Sequence, residues 1–383
     1  MIVNSVCKKL FERLSQEKLD GVMFWGPDNI TYLTGFVFPF AQSLPHKQTV
    51  LLATEEKAVV FCSADFAEVP PENGWEGKVV VISESITPDA LAEKIAAEAK
   101  TEFSGVGKWA ADSDNISEAH WNALAAKDIN LEACDKIFGE LRMVKTDDEI
   151  KKLTWASRMA ERGIVSTLNH TEGTFDAVSY ARAETAERMR VHVAEFGGQA
   201  VGQVQALQGD DLKLFHYINH DRVTDKGFTR YDLTAASEGY WSSAGRTIFV
   251  GKPDQAAKDA YMDNLKLKAF VVSQLKPGAK CSEIFAKTEA KSAEWGIPFM
   301  KEAGVGYGVG VSEREAPFLN LADDTELQKN MVIAVDVWTY GPAGEWIHSI
   351  DTYAITDDGS DRISWYRDYD RLYEMIGITA RHG

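Results

Sequence analysis

Apolar residues in the first third of the chain fall into helical spacings and short continuous runs. Val6, Leu10 and Leu14 recur at the interval of one helix face, which predicts a helix over about 5–17. Strands are predicted at the short apolar runs, and a helix at the alanine-rich segment 88–99. The runs are 21–25, 50–53, 58–62 and 79–82. Residues 26–29 are predicted as a turn. Strands that alternate with helices in this way favour an α/β layer domain.

The rest of the chain has longer helical patterns and longer apolar strands. Thr146 followed by Glu149 is the pattern of a capping box, so a helix is predicted from there to about residue 168. Further helices are predicted at 175–194, 254–275 and 282–295, and strands at 230–235, 246–250, 332–339 and 350–355. This order predicts two similar α+β halves, with an antiparallel sheet under a layer of helices and a site between the halves.

The segment 140–150 is typical of a junction between domains, because a polar stretch there precedes the capping box. We therefore predict a smaller N-terminal α/β domain over 1–142 and a larger C-terminal α+β domain over 143–383. A chain of 383 residues with 45% hydrophobic residues is long enough to build two such cores.

Charge narrows the choice of partners. The formal net charge is −17 and the pI is about 5.0. Nucleic acids and anionic membranes require basic patches, so neither is expected as a partner. An anionic small molecule is still possible, because one Arg or Lys can reverse the sign of the local field.

Cysteine usage and the apolar runs indicate a reduced, soluble protein. The four cysteines are far apart in the sequence and have no Cys-x-x-Cys spacing, so we expect buried thiols rather than disulfides or a zinc site. They are Cys7, Cys62, Cys134 and Cys281. No signal peptide and no apolar run near ~18 residues is recognisable, and we expect a cytoplasmic location.

The segment Gly304–Pro317 is the most unusual local pattern. Four glycines within seven positions allow close approach of a ligand to the backbone, and the run Ser-Glu-Arg-Glu follows them. The pattern predicts the wall of a binding site. The alternative is a glycine-rich hairpin followed by a solvated run of charges.

Charged residues inside apolar runs mark further candidates. Asp336 lies in the middle of Val-Ile-Ala-Val-Asp-Val-Trp, and Asp232 lies inside a predicted strand, where an unpaired charge is costly. His216, Arg314 and Glu315 complete the set of candidates. The alternatives are a structural salt bridge for the aspartates and an ordinary core or surface histidine for His216.

Several motifs in the same order resemble the creatinase / aminopeptidase P / prolidase superfamily, which has the pita-bread fold. Residues 29–36 resemble the signature of its N-terminal domain, and residues 141–150 resemble its Leu-Arg-x-x-Lys-x-x-x-Glu-Ile linker. Residues 240–247 match Tyr-x-x-Asp-x-x-Arg-Thr except at Ser243. The resemblance covers nearly the whole chain and implies a C-terminal pita-bread domain behind a smaller creatinase-like domain.

The metallopeptidases of this superfamily hold two metal ions with two Asp, one His and two Glu. The resemblance puts these ligands at five positions, of which only the first is unchanged: Asp232, Ser243, Tyr307, Asp336 and Ile350. Neutral Ser and Tyr and apolar Ile cannot complete a dinuclear site, so neither metal nor another cofactor is expected. A single metal at Asp232, Asp336 and His348 is the alternative, since His348 lies on the strand face of Ile350.

Creatinase, by resemblance, supplies roles for the candidates. His216 would be the general acid/base, and Asp336 with Glu315 would serve the cationic part of the substrate. Arg314 would bind a carboxylate, as in the Arg-Glu form of the glycine loop, and Asp232 and Tyr307 would line the site. Phe40 and Lys47 would reach the site of a neighbouring subunit in a homodimer. One creatinase feature is missing, because the glutamate before Arg-Thr is Gly245 here.

These observations predict a metal-independent, creatinase-like hydrolase that cleaves a C–N bond of a small carboxylate-bearing zwitterion. Two alternatives remain open at this point. One is an Xaa-Pro metallopeptidase of the prolidase or aminopeptidase P kind, and the other is a non-catalytic binding protein on the same scaffold.

Overall fold

The computed structural model describes residues 5–37, 49–67, 77–173, 182–195, 204–213, 226–364 and 371–375. The chain divides into two compact units, Met1–Arg142 and Met143–Gly383. Helices and sheets occur in both units, and the predicted α+β class is confirmed.

The first unit contains a mixed sheet flanked by helices. Its helices are α1 (Ser5–Gln16), α2 (Pro27–Thr34), α3 (Ala64–Ala67), α4 (Pro88–Glu102), α5 (Glu118–Ala125) and α6 (Asp135–Met143), which ends one residue past the unit. Its strands are β1 (Gly21–Phe24), β2 (Val50–Ala53), β3 (Ala58–Cys62), β4 (Lys78–Val81), β5 (Trp109–Ala111) and β6 (Leu131–Ala133). In the described residues they form one sheet in the order β4-β3-β2-β1-β5-β6. Two apolar clusters, around Leu14 and around Leu91, form the core of this unit.

The turn predicted at residues 26–29 is wrong, because α2 begins there. Pro27 occupies the first helical turn, where its missing N–H costs nothing. The buried carboxylate of Asp112 accepts hydrogen bonds from the backbone N–H groups of Trp25 and Gly26, both at 2.8 Å, and from Asn29 Nδ2 at 3.0 Å. Burial raises the pKa of Asp112 to about 6 despite these donors. Asp112 thus fixes the start of α2 beside the end of β1.

The second unit is dominated by one large sheet. Its helices are α7 (Asp147–Gly173), α8 (Arg182–Glu195), α9 (Gln255–Gln274) and α10 (Cys281–Trp295). Its strands are β7 (Val204–Gln208), β8 (Gly227–Ser237), β9 (Tyr240–Val250), β10 (Gly306–Gly308), β11 (Glu315–Phe318), β12 (Val332–Asp336), β13 (Thr339–Tyr340), β14 (Trp346–Ile347), β15 (Ser349–Ile355), β16 (Ser360–Arg362) and β17 (Glu374–Met375). The capping box before α7 is confirmed: the Thr146 N–H donates to Glu149 Oε2 at 2.8 Å.

The order of the large sheet explains how distant segments meet. In the part of the unit that is described, the strands run β11-β10-β12-β15-β9-β8-β7, with β16 on β15 and β17 on β9. The pairs along this path are antiparallel, as predicted. Directly opposed residues of antiparallel strands point to the same face. A side chain on β8 can therefore share a face with one on β12, three strands away.

The face of the sheet towards α7 and α9 carries a group of five charged side chains, of which four are buried and Arg362 is half-buried. Arg246 Nη2 donates to Glu161 Oε1 at 2.8 Å and to Asp351 Oδ1 at 2.7 Å. Lys268 and Arg362 also contact Asp351. Burial opposes ionisation of Asp351, but these cations outweigh it and hold its pKa far below the ordinary value. Arg246 therefore anchors the sheet to the helices.

The cysteines are free and buried, as predicted. Burial raises the thiol pKa to about 11 for Cys7, Cys62 and Cys134, and to about 12 for Cys281. Across the described ranges, no helix is both long enough and apolar enough to cross a membrane.

Candidate functional site

One face of the large sheet collects the polar candidates of the second unit in a single row. Asp232 lies opposite Gly245, Gly245 opposite Ile350, and Ile350 opposite Asp336. Each of these pairs joins neighbouring antiparallel strands, so the side chains at these positions share one face. The register of four strands thus brings Asp232 and Asp336 together, although 104 positions separate them in the sequence.

His348 lies between these two carboxylates. Its Nε2 is 2.5 Å from Asp232 Oδ1, and its Nδ1 is 2.7 Å from Asp336 Oδ1. All three side chains are buried. Each ring nitrogen therefore faces a different carboxylate oxygen, and we call this group the triad.

Three further side chains support the triad. Arg230 lies two residues before Asp232, on the same strand face, and its Nε donates to Asp232 Oδ2 at 2.9 Å. The ring of Trp338 stacks on the imidazole of His348, with centroids 3.8 Å apart, and Arg230 Cζ lies 4.6 Å from the Trp338 centroid. Gln205 Nε2 also donates to Asp232 Oδ2 at 2.8 Å. The triad is therefore held from several sides.

Burial and charge act in opposite directions on the triad. Burial raises the pKa of Asp232, but the cations of His348 and Arg230 outweigh this and hold the pKa well below its ordinary value. Burial lowers the pKa of His348, but Asp232 and Asp336 outweigh this and raise the pKa above its ordinary value. His348 is thus favoured as an imidazolium between two carboxylates.

A group of hydroxyls and charges lies on the same face. Thr234 Oγ1 is 3.1 Å from Ser243 Oγ and donates to Glu313 Oε1 at 2.7 Å. The phenol of Tyr307 forms a hydrogen bond with Ser243, and burial raises its pKa above the ordinary value. The guanidinium of Arg314, an exposed residue, lies over the Tyr307 ring, with Cζ 4.3 Å from the centroid.

Arg314 is the cation of this face that keeps its hydrogen-bond donors available. Among the described residues, no hydrogen bond or ion pair engages its guanidinium. Partial burial lowers the pKa of Arg314, but Tyr307, Asp336 and Glu313 outweigh this effect and raise the pKa above its ordinary value. Five N–H donors in a planar fork match the geometry of a carboxylate. Arg314 and the neighbouring Glu313 together offer one cation and one anion to a ligand.

Glu315 has a different setting from the one predicted for a catalytic group. It is buried, and its Oε1 accepts a hydrogen bond from Lys145 Nζ at 2.9 Å. The Lys145 side chain is only 1% exposed, so the pair is shielded from water. Glu315 thus connects the segment before α7 to β11.

The structure assembles part of the predicted site. Asp232, Asp336, Tyr307 and Arg314 lie on one face, whereas Glu315 pairs with Lys145. His216, Phe40 and Lys47 lie outside the described residues. Sequence reasoning missed the roles of Trp338 and Lys145, although both lie in motifs quoted above. Arg230 had a usable signal, because its spacing of two from Asp232 on a predicted strand implies a shared face.

The side chains on this face do not fit a dinuclear metal centre. The positions that the resemblance assigns to ligands include Ser243, Tyr307 and Ile350, and the oxygens of Asp232 are already bonded to His348, Arg230 and Gln205. Divalent ions at such centres need several anionic or imidazole ligands. No group of three His, Cys, Asp or Glu within the described part of the chain could hold a metal ion. At Asp232, Asp336 and His348, the positions of the single-metal alternative, the two ring nitrogens of His348 are already hydrogen-bonded to the carboxylates.

The fold and this site define a two-domain, pita-bread type of protein, and comparison with known proteins agrees. Residues 124–357, more than half of the chain, match Metallopeptidase family M24, and residues 7–144 match the Creatinase/Prolidase N-terminal domain. The chain belongs to metallopeptidase family M24, which is a family of hydrolases. The predicted superfamily and the predicted two-domain architecture are confirmed.

Individual relatives are distant in sequence and similar in fold. An uncharacterized peptidase of Staphylococcus epidermidis is 24% identical over 368 residues, covering 94% of this chain and 98% of that protein. The X-Pro aminopeptidase of Thermotoga maritima has a TM-score of 0.82 at 16% identity, over 96% of this chain and 99% of that one. The prolidase of Pyrococcus horikoshii has a TM-score of 0.77 at 22% identity, over 95% and 99%.

These comparisons correct the predicted function. A metal-independent, creatinase-like hydrolase was expected from the replaced metal ligands and from the Arg-Glu form of the glycine loop, and that prediction is wrong. The family is one of metallopeptidases, and the similar proteins include an uncharacterized peptidase, an X-Pro aminopeptidase and a prolidase. The Arg-Glu dipeptide alone does not determine the function, because peptidases have the same fold.

Proposed function

We propose that this chain is a peptidase that hydrolyses the C–N amide bond of a short peptide with a free carboxylate. Membership of family M24 supports hydrolysis of a peptide bond. The similar folds of an X-Pro aminopeptidase and a prolidase make X-Pro peptides the first substrates to examine.

The observation that carries the substrate class is the setting of Arg314. Arg314 is an exposed residue, and its partly buried guanidinium lies over the Tyr307 ring and is not engaged by any described hydrogen-bond acceptor. A guanidinium held in one plane forms two parallel hydrogen bonds to a carboxylate. Glu313, next in the chain, is partly exposed and attracts an amino group. A zwitterionic di- or tripeptide satisfies both charges.

The test is a peptide hydrolysis assay with the purified full-length chain. The panel contains Ala-Pro, Gly-Pro, Ala-Ala and tripeptides, each with a free or an amidated C-terminus, with and without added Mn²⁺, Co²⁺ or Zn²⁺. We expect release of amino acids from peptides with a free C-terminus and a large loss of kcat/KM on amidation. Absence of turnover for every peptide under every metal condition would overturn the proposed activity.

A second candidate function is binding of the same peptides without turnover. The observation that favours it is the triad, because His348 engages Asp232 and Asp336 where the resemblance places metal ligands. Isothermal titration calorimetry with the same panel distinguishes the two functions. Saturable binding of intact peptides that are recovered unchanged would support the second candidate and exclude the first.

A further inference from the structure

His348 lies directly between Asp232 and Asp336 and bonds to both. Its two ring nitrogens lie 2.5 Å and 2.7 Å from one oxygen of each carboxylate. The other oxygen of Asp232 accepts hydrogen bonds from Arg230 Nε at 2.9 Å and Gln205 Nε2 at 2.8 Å. A cation entering this place would have to displace the imidazole and compete with a guanidinium and an amide.

The absence of a side chain at Gly245 makes room for this imidazole. A Cβ atom at that position would lie 3.0 Å from His348 Nε2 and 2.8 Å from Ile350 Cγ1. Any residue other than glycine would therefore push against the ring and against Ile350. Gly245, which stands where creatinase has a glutamate, therefore leaves the space that the His348 imidazole occupies.

The backbone and the rings around His348 hold it in this position. The His348 N–H donates to Thr247 Oγ1 at 3.1 Å, and the Thr247 hydroxyl donates to the His348 carbonyl at 2.8 Å. Trp338 covers one face of the imidazole. The His348 side chain is only 1% exposed, so it can reach solvent only if the described side chains that pack around it move.

We infer that His348 is a permanent occupant of the place between Asp232 and Asp336, and that this pair of carboxylates binds no divalent metal ion while His348 is present. The inference concerns occupancy of the site and does not depend on the proposed peptidase activity. It states where this chain departs from the metal chemistry that its family name implies.

Paramagnetic broadening tests the inference on the wild-type protein with its triad intact, and a variant of His348 serves only to assign the signals. The full-length chain is labelled with ¹⁵N-histidine, and the ring signals of its eight histidines are recorded during addition of equimolar Mn²⁺. The His348 signals are assigned from their loss in His348→Gln. We expect them to keep their line widths. Selective broadening of the His348 signals at equimolar Mn²⁺ would overturn the inference.

Calorimetry with Mn²⁺ and Zn²⁺ gives an independent measurement. We expect the wild type and Asp336→Asn to bind each ion equally, because any binding occurs elsewhere on the surface. His192, whose Nδ1 lies 3.0 Å from Glu195 Oε2 on α8, is such a surface position, and His192→Ala is the control for it. Binding that the wild type shows and Asp336→Asn loses would overturn the inference. If Asp336→Asn does not fold, the broadening experiment decides alone.

Discussion

Arg314 is the residue whose setting most favours contact with a ligand. The Tyr307 ring beneath it restricts the guanidinium, so less side-chain entropy is lost when a carboxylate binds. The carboxylate of Asp336 lies near enough to act on Arg314 electrostatically, but the donors of Arg314 remain available within the described structure.

Replacing Arg314 by Ala is expected to weaken binding of a peptide carboxylate by about 1.5–3 kcal/mol, the net value of a hydrogen bond to a charged group. This corresponds to a roughly ten- to hundredfold rise in Kd or KM. Arg314→Lys should recover only part of the loss, because an ammonium cannot bind both oxygens in one plane. Lys329→Ala, which removes an exposed ion pair with Asp357, is the matched control. Unchanged affinity in Arg314→Ala would remove this residue from the site.

His348 lies between two buried carboxylates and compensates their negative charge. We expect His348→Gln to lower the free energy of unfolding by about 3–5 kcal/mol, because removing one partner leaves buried charge without compensation. Urea unfolding measures the change. His192→Gln, at an exposed pair with Glu195, should cost less than about 1 kcal/mol. A similar small cost for His348→Gln would mean that the carboxylates are stabilised by other groups.

The sequence predicted single residues of the site better than their connections. Asp232 and Asp336 stood out because a carboxylate in an apolar run needs a partner. The sequence grouped His348 with them as a possible metal ligand, but its direct hydrogen bonds to both carboxylates could not be derived, since they depend on the register of β8, β9, β15 and β12. Glu315 stood out because it follows the glycine-rich segment in the Arg-Glu pair, but its partner is Lys145, 170 positions away.

Among the elements, α2 begins where the Asp112 carboxylate accepts hydrogen bonds from the residues at its start. The pKa of Asp112 in the folded state is about 6, above that of an unfolded Asp near 3.9, so the folded state binds the proton more tightly. Between these two values the unfolded chain binds fewer protons, and stability therefore falls as pH rises.

Asp112→Asn removes this titration. We expect the stability of the wild type relative to Asp112→Asn to fall by roughly 2–3 kcal/mol as pH rises from about 4 to 7. Chemical denaturation of both proteins across this range measures the difference. Asp114→Asn, at an exposed neighbouring position, is the control, and its stability should change with pH as that of the wild type does. A difference that stays constant with pH would contradict the assignment.

Gly310, in the glycine-rich segment 304–310, packs directly against the carboxylate of Glu315. A Cβ at Gly310 would lie 2.1 Å from Glu315 Oε1, so Gly310→Ala must push that carboxylate away from Lys145. We expect a loss of roughly 2–3 kcal/mol in stability. The loss should shrink in a Glu315→Gln background, as a double-mutant cycle would show. Gly359→Ala, with no atom within 4 Å of its added Cβ, is the control. Equal losses in both backgrounds would refute the link.

Elements were predictable where their pattern was strong and local. Helix α1, the capping box of α7 and the long apolar strands follow from periodicity and capping chemistry. The start of α2 was missed because Gly-Pro-Asp-Asn is also a turn sequence, and the choice depends on Asp112, which is 84 positions from Asp28. The strands β5 and β6 were missed because three-residue strands carry little pattern.

The whole molecule contains separate apolar cores. The clusters around Leu14 and Leu91 contain only residues of Met1–Arg142, whereas the clusters around Ile333, Ala235 and Tyr261 contain only residues of Met143–Gly383. These described cores share no side chain, so a cavity in one unit should leave packing in the other unchanged.

Leu14→Ala is expected to destabilise its own unit by about 2–5 kcal/mol through lost burial and a cavity. Hydrogen exchange with mass spectrometry should show faster exchange in β1–β3 and unchanged exchange in β8 and β9. Ile333→Ala is the reciprocal variant and should produce the opposite pattern. Equal acceleration in both units for either variant would show that the chain unfolds as one cooperative body.

The fold as a whole was the most predictable level, because many weak motifs in a fixed order constrain it together. Function was the least predictable, since it was inferred from a few residues around a site that several chemistries share. The Arg-Glu dipeptide favoured one branch of the superfamily, and the comparisons favoured another.

The buried cysteines provide the two units with intrinsic reporters. Thiols with a pKa of about 11–12 react with alkylating agents only after they are exposed, since the thiolate is the nucleophile. Cys7, Cys62 and Cys134 lie in the first unit and Cys281 lies in the second. The labelling kinetics of the native protein would therefore time the opening of each half separately, without introducing a dye or a new residue.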